Sequence, residues 1–148
     1  MPHSHIPLSG QLTSEGHILT QRVYYEDTDF SGVVYHARYL HFMERGRTDF
    51  LRCLGIEQGK MATSGEGESL SFVVHKMEIE FKASARMDDI LTIVTLTEKA
   101  AGAKLVLAQE IRRDEKPLIA ARVTIALINP RGRPQRLPAV LTAPLSMS

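Results

Sequence analysis

Cysteine is nearly missing from this chain: of 148 residues only Cys53 carries a thiol. That excludes an internal disulfide and any metal or iron–sulfur centre built on several thiolates. Neither sign of charge dominates, since 18 Lys and Arg stand against 17 Asp and Glu for a formal net charge of +1. A general nucleic-acid binder carries a net or clustered basic excess, so no nucleic-acid partner is expected. Long apolar runs are lacking too, and none approaches the roughly 20 residues of a membrane helix. The start, Met1-Pro2-His3-Ser4-His5, has neither a basic opening nor an apolar stretch, so no secretory signal is expected. Familiar motifs are also absent: no GxGxxG, no GxxxxGK[ST], no GxSxG and no HExxH. His3, His5, His17, His36, His41 and His75 are scattered, and no metal site is expected of them. These absences leave a near-neutral cytoplasmic domain, residues 1–148, long enough to close a single core.

What is present has a clear order. Residues 1–16 are polar, rich in Pro and Gly, and read as a flexible lead-in. His17–Glu26 holds Ile18, Leu19, Val23, Tyr24 and Tyr25 and reads as a strand. The turn-forming run Asp27-Thr28-Asp29-Phe30-Ser31-Gly32 follows. From Ala37 to Leu54, Tyr39, Phe42, Met43, Gly46, Phe50, Cys53 and Leu54 recur at spacings of three and four, predicting a buried helix that stops at Gly55. Gly46 inside that stripe predicts close packing on a sheet, and Cys53 reads as a small core residue. Residues 56–69 are polar and Gly/Ser-rich, a length uncommon in compact domains outside lids and flexible segments.

Four strand-like runs then follow, the cleanest being Ile119, Ala121, Val123, Ile125 and Leu127. Turns fall at 86–89, 101–103 and 114–117. One long central helix wrapped by a curved antiparallel sheet is an α+β architecture.

The chemistry concentrates between Tyr24 and Tyr39. Glu26, Asp27 and Asp29 sit next to a glycine turn that feeds an apolar helix. The first N–H groups of that helix, near His36 and Ala37, lack intrahelical partners and lie at the positive end of its dipole. Such a terminus stabilises an oxygen that gains charge, as an ester or thioester carbonyl does during acyl transfer. A carboxylate seven residues upstream completes a minimal acyl-transfer set. Spacing alone is equally compatible with plainer roles. Asp27 and Asp29 suit turn caps, Glu26 a solvent-facing strand end, His36 a capping or packing residue, and Glu44 an ion pair with Arg45 or Arg47.

The same stretch resembles the signature of the 4-hydroxybenzoyl-CoA thioesterase superfamily, in particular its Tol-Pal-associated acyl-CoA thioesterase branch. The resemblance rests on Tyr24-Tyr25-Glu26-Asp27-Thr28-Asp29, Gly32-Val33-Val34-Tyr35-His36, Tyr39-Leu40 and Phe42-Met43-Glu44-Arg45. Weaker matches at 71–74, 83–89 and 136–138 extend it over roughly residues 18 to 138.

It implies a hotdog fold, a homodimer or homotetramer with the site at the dimer interface, and hydrolysis of an acyl-CoA without metal or bound cofactor. It also implies Asp29 as the catalytic carboxylate, either nucleophile or general base, and His36 at the position whose backbone N–H polarises the thioester carbonyl. Gly32, Val34, Tyr35 and Glu44 take substrate-binding positions, and association with cell-envelope or lipid-synthesis proteins is a further implication. Lys82, Arg86, Arg112, Arg113 and Arg131 are candidates for the CoA phosphates.

The chain departs from many relatives at Phe30-Ser31, where small residues are usual, and at Arg38, where Asn is common. Both departures flank the implied acyl pocket. A hydratase or dehydratase acting on an acyl thioester, or a non-catalytic scaffold that binds one, remains compatible with Asp29 and His36.

Overall fold

The helix forms where the 3–4 spacing predicts it. In the computed structural model, which describes residues 10–59 and 69–142, α1 runs His36–Cys53. It ends as the Ile56 amide returns to the Leu51 carbonyl, 2.8 Å away, a six-to-one closure of the last turn. Around it lie β1 (Gln11–Thr13), β2 (Gly16–Arg22), β3 (Ser71–Phe81), β4 (Ile90–Ala101), β5 (Lys104–Arg113) and β6 (Lys116–Ile128). All pairings are antiparallel, in the order β1-β2-β4-β5-β6-β3. The expected helix, strands and turns between strands are therefore present.

Two boundaries differ from expectation. Of the lead-in expected over residues 1–16, residues 1–9 lie outside the described ones, while Gln11–Thr13 is a strand paired with β2. No apolar alternation marks it, because it forms only where β2 offers a free edge. The first strand also stops at Arg22, and Tyr25–Asp27 is a 3-10 turn instead. Most of the lid-like stretch, residues 60–68, falls outside the described residues.

Alternation along each strand sends one set of side chains to the helix. Phe42, Met43 and Tyr39 pack with Leu91, Ile93, Ile111 and Ile119 around the first half of α1. Phe50 and Leu51 pack with Leu105, Leu107, Val123, Ile125 and Leu127 around the second half. Register shifts at Val74/Lys76, Thr97/Lys99 and Ile111/Arg112 bend the strands, and such bulges let a sheet curve round a helix.

Gly46 is where helix and sheet come closest. A Cβ there would lie 2.7 Å from Ile93 Cγ2 and 3.2 Å from both Thr95 Oγ1 and Gln109 Nε2. Gly46→Ala should gain about 1 kcal/mol of helix propensity and lose about 1–3 kcal/mol to overpacking. The net expectation is a lower urea midpoint at unchanged slope. A raised midpoint would show that the sheet yields at no cost.

Candidate active site

Between the 3-10 turn and α1 the chain folds back on itself. Thr28 bridges Val34, and Val33 bridges Arg86. The Tyr35 amide bonds the Asp27 carbonyl at 3.0 Å, and the Asp29 amide bonds the Val33 carbonyl at 2.9 Å. Asp29 thus stands near the tip of a narrow loop. Gly32 closes that tip with φ +89 and open space where a side chain would go, a conformation that favours glycine.

The two aspartates of this loop have different tasks. Asp27 is buried, accepts the Tyr24 amide at 2.8 Å, and binds Arg38 through Nε at 2.9 Å and Nη2 at 2.7 Å. It is a turn cap. Arg38, the residue that departs from the usual Asn, is accordingly a clamp on the loop. Asp29 lies at the surface, and its Oδ1 accepts the Ser31 amide at 2.8 Å and the Ser31 hydroxyl at 2.5 Å. The Val33 and Gly32 amides also act on this carboxylate, more weakly than Ser31. The Ser31 hydroxyl, then the Ser31 amide, holds the Asp29 carboxyl below its ordinary value. It is ionised at neutral pH.

Just beyond the loop, α1 begins at His36 with Tyr35 as its uncapped N-cap. Among the described residues no loop carbonyl or side-chain oxygen accepts the His36 or Ala37 amide. These are the orphan donors every helix start presents. The His36 ring packs on Tyr35, centroids 4.6 Å apart, and edge-on to Phe81 at 6.4 Å. Phe81 also meets Tyr39 at 6.1 Å, and the Tyr39 hydroxyl accepts the Ala85 amide at 2.9 Å. Tyr35 is 49% exposed and Phe81 52%, with Tyr24, Tyr25, Phe30 and Met87 also exposed. Apolar side chains so arranged around an uncapped helix end mark a binding surface.

Not every expected residue gathers there. Val34 is 4% exposed and belongs to the core beside Val23 and Ala85, so it anchors the loop from below. Glu44 lies eight residues along α1 from His36, roughly 12 Å at the helical rise. It is exposed, and it borders a groove of about 460 Å³ with Leu19, Thr20, Gln21, Arg45, Thr48, Asp49 and Arg52. Its expected partner Arg45 bonds Gln21 instead, at 2.8 Å. Arg47 is buried on Gln109 at 3.1 Å, where burial lowers its ionisation and Glu44 opposes that.

Of the basic candidates, Arg113 is held by Asp89 at 2.8 Å and Arg112 by Glu110 at 2.7 Å. Lys82 and Arg86 are exposed, and Arg86 stands against the loop through its bridge to Val33.

One group has metal-ligand residue types: His17, Asp49 and Cys53. Its spacing is that of hydrogen bonds. His17 Nε2 lies 2.6 Å from Asp49 Oδ2, whereas two donors on one zinc ion stand roughly 3.3 Å apart at the usual bond lengths. The same oxygen accepts the Gly10 amide at 2.7 Å and faces Cys53 Sγ at 3.8 Å. Burial, then Asp49, raises the Cys53 thiol and keeps it protonated. This trio pins the β1–β2 hairpin to α1.

Sequence reasoning did not reach Ser31, Phe81 or the His17–Asp49 pair as working residues. The Asp-x-Ser spacing of an Asx turn signals the first locally. The others have no local signal, because their partners lie 45 and 32 residues away along the chain.

Comparison with known proteins agrees with this arrangement. A profile of the thioesterase superfamily matches residues 31–120. An acyl-CoA thioesterase YbgC from Haemophilus influenzae is 43% identical over 108 residues, covering 73% of this chain and 77% of that one. An acyl-CoA thioester hydrolase YbgC from Escherichia coli O157:H7 is 42% identical over 124 residues, covering 82% and 90%. Among solved structures, a probable thioesterase from Bartonella henselae superposes with a TM-score of 0.79 at 52% identity, covering 82% of this chain and 98% of that one. Asp29 falls two residues before the profile's first matched position.

Proposed function

Because the chain belongs to the thioesterase superfamily and is a thioester hydrolase with a hotdog fold, we propose that it hydrolyses an acyl-CoA with Asp29 as the attacking carboxylate. The observation that carries this reading is the loop itself. It holds Oδ1 of an ionised carboxylate through Ser31 and feeds directly into an uncapped helix start. The thioester carbonyl oxygen docks on the His36 and Ala37 amides, where the helix dipole stabilises the charge that develops. Asp29 Oδ2 attacks the carbonyl carbon, the carbon–sulfur bond breaks, and CoA leaves as a thiolate that takes up a proton. Water then hydrolyses the mixed anhydride, returning the carboxylate and releasing the acid.

Tyr35 and the His36 ring line the acyl side, Gly32 shapes the turn, and Lys82 and Arg86 meet the CoA phosphates. Glu44 contributes to substrate binding from its groove. An acyl-CoA substrate supports a cytoplasmic location. No helix among the described residues is long and apolar enough to cross a membrane.

The surface supports a site shared between two copies. Strand β3, 11 residues long, lies at the sheet edge and among the described residues pairs only with β6, with Val73, Val74 and Phe81 exposed along it. A long, partly apolar edge is a template for strand pairing. Two β3 strands side by side continue the sheet and set the aromatic surface of each protomer against its partner.

The test is release of free thiol, with product masses, from short, long and aromatic acyl-CoAs, alongside sedimentation at micromolar concentration. Free acid and CoA from a dimer or larger assembly are expected. An added water in place of cleavage would identify a hydratase, absence of thiol release from every substrate would overturn the acyl-CoA assignment, and an active monomer would overturn the shared site.

A further inference from the structure

We propose that Ser31 is a positioning residue for thioester cleavage: its hydroxyl and amide together grip Asp29 Oδ1, fixing the carboxylate so that Oδ2 faces the substrate. The inference rests on the reading of Asp29 as the attacking group and adds the device that makes it effective.

The geometry is local and closed. Oδ1 accepts two bonds from the same residue, from the amide at 2.8 Å and the hydroxyl at 2.5 Å. Ser31 is itself held in place, because the Gly32 amide bonds the Asp29 carbonyl at 3.0 Å and the Asp29 amide bonds the Val33 carbonyl at 2.9 Å. The positive φ of Gly32 lets the loop close this tightly.

Asp29 lies at the surface, where a carboxylate otherwise rotates freely and spends little time in an attacking orientation. Holding a reacting group in one geometry removes that entropy from the barrier. A hydrogen bond to an ionised oxygen is the stronger, charge-assisted kind. Ser31 is exposed and touches no core residue, so the loop does not need its hydroxyl to fold.

Charged and titratable groups on the adjoining elements are Glu26, Asp27, His36, Arg38 and Arg86. Asp27 and Arg38 are committed to each other. Glu26, His36 and Arg86 are exposed. The influences on the Asp29 carboxyl are led by the Ser31 hydroxyl, followed by the Ser31 amide.

The experiment compares wild type, Ser31→Ala, Ser31→Thr and Asp29→Asn in two ways. The first is the titration of Asp carboxyl carbons by 13C NMR, with Asp29 assigned by its absence in Asp29→Asn. The second is the pH dependence of hydrolysis of hexanoyl-CoA and benzoyl-CoA.

In Ser31→Ala the amide bond survives and the hydroxyl bond is lost. The Asp29 titration, and with it the acid limb of kcat, should move up towards the ordinary carboxylate range. At pH 7, where the carboxylate is ionised in both proteins, kcat should fall roughly 5- to 10-fold with KM little changed. Ser31→Thr should restore both to within about twofold, since it returns the hydroxyl. An Asp29 titration and rate in Ser31→Ala that coincide with wild type, while Asp29→Asn is inactive, overturn the role of Ser31 alone. A loss in Ser31→Ala that Ser31→Thr does not restore overturns it too. Wild-type rates in Asp29→Asn overturn the assignment of Asp29 itself.

Discussion

Asp29→Asn is expected to lower kcat/KM for acyl-CoA hydrolysis by about 10³-fold, within the usual range for loss of a positioned acid–base or nucleophilic group. Asparagine keeps the shape of the carboxylate and can still accept the Ser31 amide and hydroxyl on its carbonyl oxygen. It removes the negative charge and the nucleophilic oxygen. Because the loop bonds survive and Asp29 is not buried, the thermal midpoint should move little. The rate loss then reports chemistry and not unfolding.

The residual activity has its own meaning. With the carboxylate gone, the helix start still binds the carbonyl oxygen, a contribution worth on the order of 10²–10³ per donor in enzymes with an oxyanion hole. The variant should therefore remain measurably faster than buffer. A loss of less than tenfold would remove Asp29 from the reaction. Single turnover in 18O-water separates the two routes open to the carboxylate, because hydrolysis of an anhydride at its protein carbonyl leaves label in Asp29. Attack of water on the thioester leaves none. The pH dependence has a defined sign: activity needs the ionised form, so it is held at neutral pH and lost as pH falls through the depressed value of Asp29.

Asp49→Ala is expected to be the most destabilising single change at a polar site, costing about 3–5 kcal/mol. One oxygen of Asp49 accepts His17 Nε2 at 2.6 Å and the Gly10 amide at 2.7 Å. His17 is fully buried, and its Nδ1 already has no partner. Removing the carboxylate takes the acceptor from His17 Nε2 and from the Gly10 amide, leaving the buried ring with no hydrogen bond at either nitrogen. The melting temperature should fall by roughly 10–20 °C for a chain of this size, at fixed protein concentration because assembly shifts the apparent value. Loss of less than about 1 kcal/mol would show that hairpin and helix are joined by their apolar contacts alone.

Much of the molecule was legible because its signals are local. Tyr39, Phe42, Met43, Gly46 and Phe50 recur at helical spacing because one face of α1 is buried along its length. Ile119 to Leu127 alternate because one face of β6 meets that helix. The loop from Asp27 to Gly32 announced itself through residue types that only turns use in such density. Even the plain reading of the two aspartates held in part: Asp27 caps its turn, and Asp29 closes an Asx turn with Ser31. Gln11–Thr13 showed no signal because three residues become a strand only when β2 presents an unpaired edge.

One cysteine, no excess charge and no long apolar run determined what the chain is not, and periodicity determined one buried helix and a meander of strands. Backbone conformation and side-chain alternation are set within a few residues, so they can be read in order along the chain. Only the tertiary structure decided that β3 closes the sheet against β6, that Phe81 packs on His36, and that Asp27 spends its charge on Arg38 while Asp29 is held by Ser31 within its own loop. Those outcomes depend on which distant side chains compete for the same donor and which find none, and no spacing along the chain records that competition.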